Sequence, residues 1–308
     1  MKLKLTPLIA VSILLIACSK EPAATMQAVI ATLPSQPTNA RVTETVISVA
    51  TIPASRPTPR TPLEDGDWKQ MPAVPTGVSG PMREVYQRGL EMGNDPKRFS
   101  VIGDCQNVSS YFLSVFDKPG EFALGEEYAY LQPTIDYYQG SYSRQSLAVK
   151  GGFNVAAILS PLRADPKLCN KNESPLDCEL RTWKPSVVFV SMETWWSEKP
   201  ADVYDKHMRH VIERILEKGA VPIIATKADN LEGDHSINAT IAQIAYDYDI
   251  PLWNYWAAIQ PLPNHGLWED GFHLTFARNF LTIRIAWKVL GRGAISLHYK
   301  HLMWSAGN

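Results

Sequence analysis

Residues 186–192 read Ser-Val-Val-Phe-Val-Ser-Met, a run that is apolar almost throughout. A strand that is apolar on both faces is expected where helices cover a parallel sheet on each side, because a half-exposed strand alternates instead. Working outward, β-rich runs lie at 98–103 (Arg-Phe-Ser-Val-Ile-Gly), 146–149, 220–226 and 250–253. Between the runs at 186 and 220, Val203, Met208, Val211, Ile212, Ile215 and Leu216 recur at helical spacing, and Gly219 supplies the stop. Residues 234–248 and 275–290 read as helices by the same test. Strand and helix in alternation predict an open parallel sheet with right-handed crossovers, an α/β protein with three α/β/α layers.

The chain has 308 residues, 45% of them hydrophobic, and 30 Lys+Arg against 31 Asp+Glu. Its length allows one large or two small domains with ample material for a core. A net charge of −1, with no block of like charges, gives no electrostatic footprint for nucleic acid, so nucleic acid is not expected as a partner.

The N-terminus reads as an address. Lys2 and Lys4 precede an apolar run over 8–17 broken only by Ser12, the charged and apolar regions of a secretory signal. The run is shorter than the ~20 residues a bilayer span needs. It ends in Leu15-Ile16-Ala17-Cys18, which resembles the lipobox of bacterial lipoproteins and implies a lipid on Cys18. The expected division is therefore a lipoprotein signal at 1–17, a lipid-anchored Pro/Thr/Ser-rich linker at 18–79 and a globular domain at 80–308. A linker of that composition buries too little surface to offset its ordering entropy. The expected location is the bacterial cell envelope, exported and held to a membrane through Cys18.

Ligands of open α/β sheets bind beyond the carboxyl ends of the strands. After the first run comes Gly103-Asp104-Cys105-Gln106-Asn107, and what reads as a helix opens at Val108. A thiol at a helix N-terminus has its thiolate favoured, which makes Cys105 a candidate nucleophile; the alternative is an inert core cysteine. Cys169 and Cys178 flank a polar loop whose length suits a disulfide in an exported protein, which leaves Cys105 outside it. Farther on, Asp270-Gly271-Phe272-His273 places a carboxylate and an imidazole within one turn. Such a pair orients one ring nitrogen and aims the other at a nucleophile; the alternative is that Asp270 supports a helix start while His273 packs.

Taken together these two segments resemble the SGNH hydrolases, also called GDSL-type esterases and lipases. That family opens with a strand followed by Gly-Asp-Ser, where this chain has Gly103-Asp104-Cys105, and closes with Asp-x-x-His, where it has Asp270 to His273. The resemblance runs from about residue 98 to 290. It implies a flavodoxin-like sheet, the SGNH hydrolase fold, and a Cys105-His273-Asp270 triad acting on an acyl ester through a covalent intermediate. It further implies an oxyanion hole from the Cys105 amide, Gly151 (followed by Gly152) and an Asn of the third block. The third block departs: 191–196 reads Ser-Met-Glu-Thr-Trp-Trp, without an Asn. Asn230 is the preferred substitute, although a turn-forming role is open to it, and Asn154 also lies near the expected edge.

Trp195, Trp196, Trp253, Tyr255, Trp256 and Trp268 crowd that edge by sequence, with Trp195, Asn154 and Trp268 as candidate substrate contacts; filling the core is the other reading of the aromatics. His265 is a rival base without an acidic residue at the spacing that serves His273. His207 and His210 stand one turn apart with no third ligand, so neither a metal nor another cofactor is implied. The expected function is an exported, lipid-anchored SGNH-like hydrolase or acyltransferase. Its substrates would be carbohydrate, cell-envelope or lipid esters. The alternative is a surface lipoprotein of the same fold that binds glycan without turnover.

Overall fold

In the computed structural model residues 60–110, 112–192 and 201–274 are described. The signal segment, Cys18, the linker up to residue 59, Trp195, Trp196 and the helix expected at 275–290 lie outside them. Four strands form one parallel sheet in the order β1 (Asp95–Gly103), β2 (Pro185–Ser191), β3 (Val221–Ala225) and β4 (Leu252–Trp253). The helices are α1 (Asp67–Gln70), α2 (Gly80–Glu91), α3 (Gly125–Tyr128), α4 (Gln132–Tyr137), α5 (Pro175–Trp183), α6 (Ala201–Glu217), α7 (Ser236–Asp247) and α8 (Tyr255–Ile259).

The alternation of side chains along β2 divides the interior in two. Val188 and Val190 face one cluster, made with Met82 and Val85 of α2, Leu176 and Leu180 of α5, Met208, Ile212 and Ile215 of α6, and Ile241 of α7. Val187 and Phe189 face the other, made with Phe99, Phe112, Phe116, Ile135, Tyr142, Trp253 and Ile259. Each fully buried aliphatic or aromatic side chain contributes roughly 1.5–3 kcal/mol, so both faces must be covered, and the result is the three-layer α/β/α architecture expected from residues 186–192. Trp253 and Tyr255, which the sequence placed among the edge aromatics, are buried in the second cluster.

The run at 146–149 is not a strand. Its backbone donors are used locally: Leu147 N bonds to Glu179 Oε2, Ala148 N to Ser146 Oγ and Val149 N to Ser146 O. A single parallel bridge remains, Gly103 to Val149, supported by Gly103 N donating to Ala148 O at 3.2 Å. Gly103 already pairs with Ser191 of β2, so Val149 lies on the far side of β1. With that position counted, the lateral order is the flavodoxin-like 2-1-3-4-5, and the topological switch falls beside β1.

The fold also starts earlier than residue 80. Arg60 pairs with Asp249, Leu63 N donates to Gln243 Oε1 at 2.8 Å, and Trp68 is buried, with Asn254 Nδ2 donating to Trp68 O and Met71 O at 2.8 and 3.0 Å. A Pro-rich composition averaged over the linker hid one large aromatic that anchors a strap. The Cys169–Cys178 disulfide is formed, with Cα atoms 5.3 Å apart, at the entrance to α5. Trp68→Ala should lower stability by about 3 kcal/mol in urea unfolding of the whole chain, as for a core aromatic; a change within about 0.5 kcal/mol would return this segment to the linker.

Candidate active site

The turn that carries Cys105 follows directly from β1. Asp104 caps a short 3-10 turn, Cys105–Asn107: its Oδ1 accepts Gln106 N at 2.9 Å, and Asn107 Oδ1 accepts Asp104 N at 3.2 Å. The folded-back Asn107 side chain is why residue 103 is glycine, since a Cβ there would lie 2.1 Å from Asn107 Oδ1. Val108 is extended (φ −59°, ψ 139°), and residues 109–110 and 112–113 form turns in place of the helix expected from Val108. The dipole available to the thiol is that of one short turn. Cys105 is partly exposed, unlike an inert core cysteine.

His273 sits on a second turn. Leu267 and Leu274 form an antiparallel bridge, Trp268 N donates to His273 O at 2.7 Å, and Gly271 N donates to Trp268 O at 2.9 Å with Gly271 at φ 68°, a conformation that favours glycine. Inside this turn Asp270 Oδ1 accepts the Phe272 and His273 amides at 3.0 and 2.9 Å, while Oδ2 lies 2.8 Å from His273 Nδ1. A carboxylate only accepts, so the proton is on Nδ1 and the Nε2 lone pair is presented to the other side. His273 Nε2 lies 3.9 Å from Cys105 Sγ, across 168 positions of sequence. The hydrogen bond from His273, with the two backbone amides, holds Asp270 down to about 2.

Gly151 is brought to the same place. A Cβ built on it would stand 3.8 Å from Cys105 Cβ, so a side chain at this position would meet that of Cys105. Asn154 is buried, with its oxygen accepting the Ala156 and Ala157 amides at 3.1 and 2.9 Å; it shapes a turn. Asn230 Oδ1 accepts His235 N at 2.8 Å and closes the 230–235 turn, the structural role the sequence had left open to it. Trp268 is partly buried in the base turn itself. The rival His265 turns its Nδ1 to the Gln260 carbonyl at 3.0 Å, not to a carboxylate.

A buried charge group at the same carboxyl edge was not foreseen. Lys227, two residues past β3, places Nζ 2.5 Å from both Asp229 Oδ1 and Glu232 Oε2. Burial opposes its charge, but the two carboxylates outweigh this and raise its pKa. Asp104 is buried as well, and among the described residues its Oδ2 and that of Asp229 have no hydrogen-bond partner. Burial pushes Asp104 up to about 6; the Gln106 amide and His273 oppose the rise and Asp229 adds to it. The one sequence signal was a lysine immediately beyond an apolar strand, where a buried cation needs a carboxylate nearby.

No protein-family model matches the chain, and no curated protein is similar to it. Among solved structures it is similar to a candidate SGNH hydrolase from Slackia heliotrinireducens, at 17% identity over 65% of this chain and 100% of that one, with a TM-score of 0.42. It is also similar to TesA, at 15% identity over 63% of this chain and 97% of that one, with a TM-score of 0.39.

Asp104 sets a stability signature. Its folded pKa of about 6 lies above the ordinary value of 3.8, so between these two pH values the unfolded chain ionises while the folded one keeps its proton, and stability falls as pH rises. Asp104→Asn keeps the Gln106 contact and removes this penalty. It should be more stable than the wild type by roughly 2–3 kcal/mol at pH 7.5, with the gain vanishing below about pH 4 in parallel denaturant titrations. A gain independent of pH would mean that Asp104 does not titrate this way.

Proposed function

We propose that the protein is an exported, lipid-anchored hydrolase or acyltransferase of the SGNH type, acting on acyl esters of carbohydrate, envelope or lipid material through Cys105, His273 and Asp270. The observation that carries the reading is the convergence of Cys105 Sγ and His273 Nε2 at 3.9 Å with Asp270 on the opposite ring nitrogen. Apo contacts of this kind are commonly long and tighten when substrate binds.

In the proposed reaction His273 Nε2 takes the Cys105 proton as sulfur attacks the acyl carbonyl. The oxyanion is met by the amides of Cys105 and Gly151, with the Asn230 carboxamide as the third donor. Collapse breaks the ester C–O bond, and the leaving alkoxide takes the proton from the imidazolium, giving an alcohol and a thioester on Cys105. Water, or the hydroxyl of an acceptor, then attacks that thioester as His273 takes its proton; collapse breaks the C–S bond and the Cys105 thiolate recovers the proton from the imidazolium, giving an acid (hydrolysis) or a new ester (transfer). Asp270 keeps the Nδ1–H tautomer and faces the imidazolium as it forms. The thiol favours thioesters and activated esters. Anchoring through Cys18 would keep the domain in the cell envelope, within reach of membrane-surface substrates.

Three measurements test this. Iodoacetamide should label Cys105 faster than a model thiol in mild acid. A panel of short-chain esters and thioesters should show turnover that Cys105→Ala and His273→Ala abolish and that Asp270→Asn lowers by roughly 10²–10⁴-fold. Slow labelling with no turnover on any acyl substrate would leave a glycan-binding lipoprotein. For the anchor, membrane association should be lost in Cys18→Ser; retention would remove the lipid.

A further inference from the structure

Behind the site a second polar group joins β1, α5 and the loop at 144–152. Glu179 of α5 is fully buried; its carboxylate pairs with both terminal nitrogens of Arg144 and accepts the Ser100 hydroxyl of β1. Glu179 Oε2 also accepts Leu147 N at 2.8 Å. Arg144 donates to Ser100 Oγ at 3.1 Å and lies 4.1 Å from the ring of Trp183, whose Nε1 donates to Phe99 O at 2.9 Å.

A buried ion pair is a poor device for stability, because desolvation offsets most of the attraction and apolar replacements often serve as well. What this one does is fix a place. From Leu147 the chain runs one residue to Ala148 O, which accepts Gly103 N, and Gln145 links Ser109 N of the nucleophile segment (3.0 Å) to Val149 O (3.1 Å). Gly151 follows two residues later, against Cys105. The thiol and imidazole, in contrast, are held by the turns at 103–107 and 267–274.

We infer that Glu179 is a positioning residue for the oxyanion-binding backbone: by holding Leu147 N, with Arg144 as its counter-ion, it sets where the Gly151 amide stands relative to Cys105. The inference rests on the reading of Cys105 as nucleophile and deepens it.

Two double variants of the whole chain separate position from stability. Glu179→Gln with Arg144→Met removes both charges but keeps an acceptor for Leu147 N. Glu179→Leu with Arg144→Met removes the charges and the acceptor. At similar thermal midpoints the Leu variant should lose roughly 10²-fold in kcat on a short-chain thioester, the loss that follows from about 1 Å of misplacement. The Gln variant should keep most of its kcat. In both, KM and the iodoacetamide rate at Cys105 should match the wild type, and amide exchange over 147–152 should rise only in the Leu variant. Equal kcat in the two variants, kcat that merely follows the thermal midpoint, or a parallel fall in alkylation would overturn the inference. Should both variants unfold, fast exchange of Leu147 N in the wild type would overturn it and protection comparable to β1 would support it. A wild type that turns over no acyl substrate would overturn the reading of Cys105 instead, and unaltered exchange over 147–152 in the Leu variant would then still refute the positional claim.

Discussion

The pairing of β1 with β2, both buried on two faces, is the constraint on which the rest of this molecule depends. Parallel strands cannot be joined by tight hairpins, so the chain must return through a crossover after each one, and every carboxyl end then falls at the same edge. Cys105 lies there because it follows β1, Lys227 because it follows β3 and Asn254 because it follows β4. Gly151 arrives through the Val149 bridge on the outer side of β1. The His273 turn is brought to Cys105 by the segment that follows β4 and α8, and its shape is set locally by Asp270, which bonds two amides with one oxygen and the imidazole with the other.

The polar groups at and behind this edge run against the economy of the rest of the fold. The two clusters on either face of the sheet are apolar, whereas here Glu179, Lys227, Asp229 and Asp104 are all taken out of water. The first two carry compensating partners, as the desolvation penalty demands. Asp104 has the Gln106 amide but no cation bonded to it among the described residues, and burial raises its pKa. Departures of this kind are expected where local stability yields to the geometry of a site.

Legibility in the sequence followed the length scale of each signal. β2 and β3 were readable because being apolar on both faces is a property of a handful of adjacent residues, and α6 because Met208, Val211, Ile212 and Ile215 repeat over several turns. The run at 146–149 misled because a β-rich composition says nothing of where Leu147 N and Ala148 N will bond. The helix expected after Cys105 is replaced by a 3-10 turn, an extended Val108 and further turns. Trp68 was hidden by the prolines around it, and the tryptophan and tyrosine at 253 and 255 were drawn into the core by their area. Within the candidate site, Cys105, Asp270 and His273 were legible through a family resemblance. Glu179 and Arg144 were not, since a pair 35 positions apart on different elements leaves no periodic trace.

In the proposed triad, a cysteine as nucleophile is consistent with the exposure of His273. The side chains of His273 and Asp270 are 53% and 43% exposed, so solvent screens their mutual attraction and the imidazole is less rigidly poised than in a buried triad. A hydroxyl nucleophile depends on having its proton removed as the new bond forms, and such a base at such a distance would serve it poorly. A thiol is already a few per cent ionised near neutral pH and is strongly nucleophilic once it is. Sulfur also reaches farther than oxygen, which makes 3.9 Å a shorter gap for Cys105 than it would be for a serine. In the proposed mechanism the substitution and the exposed base therefore belong together: a thiol lowers the demand on His273, and an open His273 leaves room at the rim for an acyl acceptor larger than water.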